Sequence, residues 1–362
     1  MENLDLRFAG RSVFVTGHTG FKGSWLSLWL SELGAKVVGF SQPPPTQPSN
    51  FEVSKIVERL TRHVVGDLRD LPALCTAMRE ARPDLVIHMA AQPLVRESYE
   101  HPVETFEVNV LGTVNLLESV RRLDHPCSVI VVTSDKCYEN VDQLWGYRET
   151  DRMGGQDPYS ASKGAAELVV RSYRDSFFSP ARLASHGKKI ASVRAGNVIG
   201  GGDWAKDRLV VDLVQAFAAG KPAVLRNPRS TRPWQHVLDA LHGYLTLAAH
   251  MLADDGAWLC DGWNFGPDES SEWAVERLTV ALCQAWKGGS YRAEPVAAAA
   301  HEARVLRLDS TKAHVHLGWH PRWTTEKAVQ HTAAWYQRYY SKGSPMQDAC
   351  LEDIKAYTAA GS

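Results

Sequence analysis

The most constraining feature of this chain is a short apolar run, "RSVFVTG", that ends in glycine and leads into a helical pattern, "FKGSWLSLWLSELG". The junction contains Gly17, Gly20 and Gly23 in the order "GHTGFKG". Glycines at a strand-to-helix turn permit a tight bend and let the backbone approach a pyrophosphate, which rests on the helix N-terminus. The junction therefore predicts a dinucleotide-binding loop, although an ordinary strand-to-helix turn would also accommodate three glycines.

Strand and helix patterns continue to alternate through the first half of the chain. Further apolar, β-branched runs are "AKVVGF", "HVVGD", "DLVIHMAA", "CSVIVVTS" and "KIASVRAGNVIG". Nearly continuous apolar strands are typical of a parallel sheet whose two faces are covered by helices. We therefore predict an α/β fold with a doubly wound, Rossmann-type parallel sheet.

The regular alternation weakens after about Asn197, where Gly, Asp, Trp, Arg and Pro separate shorter segments. This part of the chain is predicted to form a smaller mixed α/β domain over the carboxyl edge of the sheet, where ligands of open α/β sheets bind. The expected division assigns residues 1–196, with a return of about residues 232–265, to the dinucleotide-binding domain, and residues 197–231 and 266–362 to the smaller domain.

The composition excludes several classes of function. The 362 residues carry a formal net charge of −1 without long runs of either sign, so nothing favours a nucleic-acid partner. Apolar stretches fall short of the ~18 residues of a membrane span, and the N-terminus lacks the pattern of a secretory signal. Six scattered cysteines indicate reduced thiols, so we expect a cytoplasmic protein. The histidines are irregularly spaced, and no metal site is predicted.

A tyrosine and a lysine are one turn apart on a predicted helix. The motif "PYSASK" places Tyr159 four residues before Lys163, so both side chains project from one face. A phenol titrates near ~10, so a tyrosine that acts as a base at neutral pH needs ~4 kcal/mol of phenolate stabilisation. A neighbouring ammonium can contribute to that stabilisation. The alternative is an ordinary surface tyrosine beside a solvated lysine.

Four polar residues, "TSDK", follow the apolar part of the predicted fifth strand. They include Ser134, Asp135 and Lys136. An acid beside an amine at a strand end is either a surface ion pair or part of an acid/base system. In water the two groups would be a carboxylate and an ammonium, whereas a closed, dry pocket penalises both charged forms. The pattern predicts proton transfer only if the pair is enclosed.

Three motifs resemble the extended short-chain dehydrogenase/reductase family: the GxxGxxG spacing, "DLRD" after the third strand and "AAQP" after the fourth. The resemblance implies a structural role for Asn109 in "NVLGT". The second strand ends in "VVGFSQPPP", with neither the acidic residue that usually binds the ribose 2′-OH nor an arginine for a 2′-phosphate. Because no cation awaits the extra phosphate, we expect NAD, with Ser41 near its ribose. The implied cofactor-binding residues are Gly17, Gly20, Phe21, Gly23, Ser41, Asp67, Leu68, Ala90, Ala91, Gln92, Tyr159 and Lys163.

Within that family, "TSDKCYEN", "WGYRE" and "PYSASK" together resemble the nucleotide-sugar 4,6-dehydratases. Glu often follows the Asp in enzymes that act on dTDP-glucose. The Lys that follows it here resembles the enzymes that act on CDP-glucose. The resemblance implies that Ser134, Tyr159 and Lys163 take part in oxidation at C4 of the sugar. It further implies that Asp135 protonates the departing C6 hydroxyl and that Lys136 removes the C5 proton.

The resemblance implies CDP-glucose as the substrate and a homodimer or homotetramer as the assembly. The resemblance places Asn197 at the diphosphate-sugar, and the fork of Arg232 suits a diphosphate. The base-reading loop is expected near Leu225 and Arg226. Alternatives are a UDP-N-acetylglucosamine 4,6-dehydratase, a 4-epimerase or a non-catalytic dinucleotide-sensing protein. The predicted substrate-binding residues are Lys22, Arg96, Ser134, Asn197, Arg208, Leu225, Arg226, Arg232 and Arg304.

Overall fold

The structure, a computed structural model, describes residues 4–253, 256–294, 306–341 and 345–361, apart from the side chain of Glu269. Seven strands form one fully parallel sheet, as predicted for a doubly wound α/β fold. The strands in the described ranges are β1 (Ser12–Thr16), β2 (Lys36–Ser41), β3 (Arg62–Val65), β4 (Leu85–His88), β5 (Cys127–Val132), β6 (Lys188–Arg194), β7 (Val198–Ile199), β8 (Ala223–Leu225), β9 (Thr231–Pro233), β10 (Gln235–His236), β11 (Gly262–Asn264), β12 (Glu272–Ala274) and β13 (Tyr291–Ala293).

The strand order of the sheet, β3–β2–β1–β4–β5–β6–β11, reverses between β1 and β4. Open α/β sheets bind ligands in the crevice at such a switch point, at the carboxyl ends of the strands. The register pairs Thr16 with Phe40 on one side and with His88 on the other, and pairs His88 with Val131. The carboxyl ends of β1, β2, β4 and β5 therefore lie level along one edge.

Helices cover both faces of this sheet. The first long helix begins directly after the glycine loop and ends before Gly34, whose φ of +77° suits a helix stop, as the sequence predicts. The helices are α1 (Leu4–Phe8), α2 (Phe21–Glu32), α3 (Asn50–Val53), α4 (Leu71–Ala81), α5 (Val95–Glu100), α6 (Pro102–Phe106), α7 (Gly112–Arg121), α8 (Pro158–Ser176), α9 (Leu183–His186), α10 (Leu209–Ala218), α11 (Val237–Ala253), α12 (Val275–Trp286), α13 (Thr311–Leu317), α14 (Thr325–Tyr340) and α15 (Met346–Ala359).

The sequence pattern of residues 106–123 predicts one continuous helix, but the structure interrupts it. A five-residue π-helical turn, Glu107–Leu111, separates α6 from α7. Asn109 lies in this turn, and its side-chain oxygen accepts a hydrogen bond from the Gln92 backbone N–H over 2.8 Å. Its amide group donates to the Gln92 carbonyl over 3.1 Å and to the Ser162 hydroxyl over 2.8 Å. The turn thus ties the loop after β4 to α8, which agrees with the structural role expected for Asn109.

The two large apolar clusters of the described residues lie one on each face of the sheet, and a third, small cluster contains Tyr138 and Tyr147. Val13 and Val15 of β1 pack in the cluster that contains Trp25 of α2, whereas Phe14 packs in the cluster that contains Leu74 of α4. Successive side chains of a strand point to opposite faces, so β1 is buried on both sides. This arrangement is why the strand is a continuous apolar run.

The chain after β6 covers the carboxyl edge of the sheet and partly returns to its flanks. Short two-stranded pairs, β7 with β10, β8 with β13 and β9 with β12, accompany α10, α12 and α14. β11 joins the edge of the sheet beside β6, and α11 packs against α1, α2 and β5. The last helix, α15, also packs against α2 and α3. The domain boundaries expected from the sequence stay a prediction.

Among the described residues, no helix combines the length and the apolar character that a bilayer crossing requires.

Candidate active site

A cavity of about 1140 Å³ opens at the carboxyl edge of the sheet. Its wall includes the glycine loop, the ends of β2, β4 and β5, the start of α8 and the segments after β6. Pockets for a single small ligand measure roughly 300–1,000 Å³, so this cavity is large enough for more than one. The predicted site residues in its wall are Gly17, Gly20, Phe21, Lys22, Gly23, Ser41, Asp67, Leu68, Ala90, Ala91, Gln92, Arg96, Ser134, Asp135, Lys136, Tyr159, Lys163, Asn197, Arg208, Arg226 and Arg232.

One predicted substrate residue that the structure describes, Leu225, does not line this cavity. Leu225 is 1% exposed and packs in the apolar core, while its neighbours Val224 and Arg226 line the cavity. Alternation along β8 explains the difference, because a shift of one residue reverses the face of a strand. The prediction that the Leu225 side chain contacts the base is therefore wrong, because this side chain points into the core. Arg304 lies outside the described residues.

The glycine loop fits a dinucleotide through its backbone. Gly17 has a φ of +74°, and a Cβ there would lie 2.6 Å from the Ala90 nitrogen. A Cβ at Gly23 would lie 2.1 Å from the Gly17 oxygen, whereas one at Gly20 would come no closer than 3.4 Å to that same oxygen. The first N–H groups of α2 have no intrahelical partners, as at the start of any helix, and Gly20 has no side chain that could cap them. These donors at the cavity wall suit a pyrophosphate.

The end of the cavity near β2 and β3 carries an ionised carboxylate. The Arg69 guanidinium hydrogen bonds to Asp67 and lowers the pKa of that carboxyl to about 2. The Gln42 amide also donates to Asp67 over 2.7 Å, and the Ser41 and Thr19 hydroxyls are 2.8 Å apart. A negative charge at this wall disfavours an additional phosphate group. The sequence did not single out Gln42, although it follows the predicted ribose contact directly.

The tyrosine–lysine pair is oriented by the start of α8. The Asp157 side chain caps this helix by accepting the Ser160 N–H over 2.9 Å, and Pro158 occupies its first turn. Burial raises the pKa of Tyr159 to about 12, although the Ser134 hydrogen bond and the Arg208 charge oppose the rise. The phenol is therefore protonated at neutral pH, and Lys163 does not reverse the effect of burial.

Two lysines meet across the cavity. Burial, together with the charge of Lys22, lowers the pKa of Lys163 to about 8. Burial and the Arg208 charge lower the pKa of Lys22 to about 8 as well, against the opposing charges of Asp135 and Asp203. Both ammonium groups are still mainly charged at neutral pH. Together they make this part of the cavity attractive to anionic groups.

The strand-end tripeptide at residues 134–136, called the catalytic turn below, is enclosed. Asp135 is only 4% exposed, and Lys136 is half-buried. The Ser134 hydroxyl donates to an Asp135 carboxylate oxygen over 2.8 Å, and the Lys136 backbone N–H donates to the Ser134 oxygen over 3.2 Å. Gly196 provides space for the carboxylate, since a Cβ there would lie 1.9 Å from it. The burial of Asp135 excludes an ordinary strand-end surface ion pair.

The segment after β7 brings further charged groups to the cavity. Burial raises the pKa of Asp203, in "GGGDW", while the Arg208 and Lys22 charges oppose that rise. The sequence did not identify Asp203, and only its position soon after the sixth strand could have indicated it. At the rim, Arg96 pairs with Asp207 across 2.5 Å. This ion pair links α5 to the segment that covers the sheet edge.

Comparisons with known proteins extend the motif resemblance to nearly the whole chain. A sequence model described as "GDP-mannose 4,6 dehydratase" matches residues 14–332. The CDP-glucose 4,6-dehydratase of Salmonella typhimurium strain LT2 is 47% identical over 351 residues, which are 97% of this chain and 97% of that protein.

Two solved structures share the fold. DesIV, a dTDP-glucose 4,6-dehydratase from Streptomyces venezuelae with NAD bound, has a TM-score of 0.76 at 24% identity and covers 92% of this chain and 99% of its own. The UDP-glucose 4-epimerase of Thermus thermophilus, in complex with NAD, has a TM-score of 0.75 at 26% identity over 90% of this chain and 98% of its own.

Proposed function

Because this chain belongs to the GDP-mannose 4,6-dehydratase family, we propose that it converts CDP-D-glucose to CDP-4-keto-6-deoxy-D-glucose and water, with NAD as its cofactor. The observation that carries the proposal is the enclosure of two sets of groups in one cavity. Tyr159 and Lys163 suit an oxidation, while Asp135 and Lys136 supply the additional acid and base that an elimination requires. An epimerase would not need the second set.

The chain holds the cofactor mainly by its backbone. The glycine loop and the N-terminus of α2 would receive the pyrophosphate, and Ser41 and Gln42 would face the adenosine ribose. The ionised Asp67 favours NAD over NADP. When bound, NAD accepts a hydride from C4 of the sugar and later returns it to C6. The charged Lys163 would contact the nicotinamide ribose.

Oxidation at C4 requires a base for the hydroxyl proton. We assign this role to Tyr159, whose phenol lies beside Ser134 in the same cavity wall. Burial holds the pKa of Tyr159 near 12. The phenolate must therefore be stabilised by neighbouring positive charge once the cavity is occupied. The cations of the cavity contribute to that charge. The Ser134 hydroxyl helps to orient the C4 hydroxyl.

Elimination of water follows from the chemistry of the 4-keto sugar. The carbonyl acidifies the C5 proton, which Lys136 removes as the neutral amine, while Asp135 as the neutral acid donates a proton to the C6 hydroxyl as it leaves. Both neutral forms arise when Lys136 passes a proton to Asp135, a transfer that a dry, occupied pocket favours because it penalises both charges. Reduction at C6 and the return of a proton to C5 would complete the 4-keto-6-deoxy product. Both groups belong to the catalytic turn, and the enclosure of Asp135 keeps water from competing for the proton.

The diphosphate and base of the substrate would lie toward the covering segments. Lys22, Arg208 and Arg232 provide positive charge for the diphosphate, and Asn197 enters the same wall with a φ of +47°. Val224 replaces Leu225 as the apolar contact beside Arg226, because β8 turns Val224 toward the cavity. To contact the substrate, Arg96 would have to leave its ion pair with Asp207.

Incubation with three nucleotide sugars tests the function. We expect the purified protein with NAD to form a 4-keto product from CDP-glucose, detected by its absorbance in alkaline solution. Much less product should form from dTDP-glucose or UDP-N-acetylglucosamine. A preference for UDP-N-acetylglucosamine would assign the alternative dehydratase activity. A 4-epimer without a 6-deoxy product would contradict dehydration altogether.

We also propose that the chain forms a homodimer through α6, α7 and α8. Val103 of α6, Leu111 of the π-helical turn before α7 and Leu168 of α8 are 70%, 54% and 58% exposed, although they are apolar. Exposed apolar residues on elements that pack together indicate a contact surface. Light scattering should give a dimer or tetramer for the wild type and a smaller species for Leu168→Glu. A monomeric wild type would contradict the proposal.

A further inference from the structure

A buried ion pair lies behind the catalytic turn. The Arg194 and Glu167 side chains are 5% and 4% exposed, and their planar groups meet through two hydrogen bonds of 2.9 and 2.8 Å. The hydroxyls of Thr133 and Ser192 donate to the same carboxylate over 2.5 and 2.7 Å. Burial alone would raise the pKa of Glu167, but Arg194 outweighs it and the pKa is lowered. A buried pair with satisfied hydrogen bonds has one preferred geometry and is rigid.

Both ends of the catalytic turn are attached to this ion pair. Thr133, which bonds to Glu167, is the residue immediately before the turn. Tyr138, two residues after the turn, accepts a hydrogen bond from Arg194 over 2.5 Å. The Tyr138 hydroxyl also donates to the Asn264 side-chain oxygen over 2.8 Å. The turn is therefore held from both sides by one buried group of charges.

The same ion pair is part of the helix that carries the oxidation residues. Glu167 follows Lys163 by one turn of α8, and Lys163 follows Tyr159 by one turn, so the three side chains share a face. The helix approaches the catalytic turn closely at Gly164, where a Cβ would lie 3.1 Å from the Cys137 carbonyl oxygen. The positions of the oxidation and elimination groups are thus set by one frame.

We propose that Tyr138, Glu167 and Arg194 are positioning residues that hold Lys136 at C5 and Asp135 at C6 of the sugar while Tyr159 addresses C4. The proposal rests on the proposed function, because only a dehydratase needs both sets of groups aligned on one substrate. A displacement of about 1 Å can lower a rate by about a hundredfold. Loss of this frame should therefore affect elimination more than oxidation, since Tyr159 and Lys163 lie on a long regular helix.

The variant Tyr138→Phe tests the proposal with little change in shape. It retains the ring, which stacks on Tyr147 with centroids 5.3 Å apart, and removes only the hydroxyl between Arg194 and Asn264. With CDP-glucose, we expect C4 oxidation at the wild-type rate but elimination slowed by about tenfold or more. The measurements are transient NADH absorbance, deuterium exchange at C5, and the separate effects on kcat and KM. The fall should appear in kcat.

Tyr147→Phe is the matched control. Its hydroxyl donates to the Asn140 side-chain oxygen over 2.9 Å and accepts the Val141 N–H over 2.8 Å, without a contact to the ion pair. This variant removes a buried tyrosine hydroxyl from the same stacked pair. We expect a similar small fall in the thermal unfolding midpoint but no accumulation of NADH. The midpoint of each variant confirms that both remain folded.

Two outcomes would overturn the positioning role. Elimination in Tyr138→Phe could equal that of Tyr147→Phe, or oxidation and elimination could fall by the same factor. A wild-type protein that forms no 4-keto product from any of the three nucleotide sugars would instead overturn the proposed function, and the positioning role with it. The wild-type assay therefore separates the two failures.

Discussion

The glycine loop and the catalytic turn both lie at the carboxyl edge of the sheet, but they are built in opposite ways. The glycine loop presents backbone, and a Cβ at Gly23 would collide with Gly17. The catalytic turn presents side chains, which are held from behind by Thr133 and Tyr138 through a buried ion pair. The first site needs the absence of side chains, and the second needs side chains that distant residues support.

The difference follows from the chemistry of each task. A pyrophosphate is held by N–H groups and a helix terminus, which every chain possesses once the turn is tight enough. Proton transfer requires particular side chains within hydrogen-bond reach of particular atoms. A binding loop can therefore be encoded in seven adjacent residues, whereas the catalytic turn depends on Glu167, Arg194 and Asn264 from three other elements.

The largest expected effect is on the catalytic turn itself. Lys136→Met removes the amine with little change in length, and we expect deuterium exchange at C5 to fall by about 10²–10⁴-fold. C4 oxidation should remain measurable as NADH absorbance, because Tyr159 and Lys163 are unchanged. Lys355→Met, at an exposed lysine of α15, is the control and should retain wild-type exchange. Undiminished exchange in Lys136→Met would exclude Lys136 as the base.

The support of the turn should contribute strongly to stability. Glu167→Gln leaves Arg194 as an uncompensated buried charge, and we expect the free energy of unfolding to fall by about 3–5 kcal/mol. Glu352→Gln is the control, because the Glu352 side chain is 69% exposed and its ion pair with Arg338 should contribute about 0–1 kcal/mol. Denaturant unfolding measures both. Equal losses would show that the buried ion pair contributes no more to the free energy of unfolding than a surface ion pair does.

The glycine loop should separate stability from binding. Gly23→Ala forces a Cβ to 2.1 Å from the Gly17 oxygen, so we expect about 1–3 kcal/mol of destabilisation and weaker NAD binding. Gly20→Ala meets no atom closer than 3.4 Å and should change stability by less than about 0.5 kcal/mol. Its methyl group should still weaken NAD binding, as titration would measure. If Gly20→Ala bound NAD normally, the pyrophosphate would not lie over Gly20.

The smallest expected effect is a pH dependence at the adenosine end. Because Arg69 lowers the pKa of Asp67 from 3.8 to about 2, the native state favours the ionised carboxylate. The resulting stability is fully present above pH 3.8 and is lost as the pH falls toward 2. Asp67 is partly exposed, so Asp67→Asn should cost about 1 kcal/mol at pH 7. Urea unfolding should show that this difference shrinks below about pH 4. If the difference in unfolding free energy between the two proteins did not change with pH, the ionisation of Asp67 would not contribute to stability.

The predicted and the unpredicted parts of the site differ in the range of the interactions that form them. Tyr159 and Lys163 share a face because a helix repeats every 3.6 residues, which the sequence reveals directly. The direction of Leu225 depends on the phase of β8, which only its packing against the core sets. Gly196 belongs to the site because β6 lies beside β5 in the sheet, and Asp203 because the segment after β7 reaches the same sheet edge. No local pattern identified either of them.

The order of apolar and polar residues along the chain specified the parallel sheet, the glycine loop and the residue types of the acid/base set. These features follow from local rules, because strand alternation, helix period and glycine turns act over a few residues. Packing decided the enclosure of Asp135, the π-helical turn at Asn109 and the ion pair behind the catalytic turn. Those features join residues far apart in the chain, and their energies arise from burial, which exists only when the whole chain is folded.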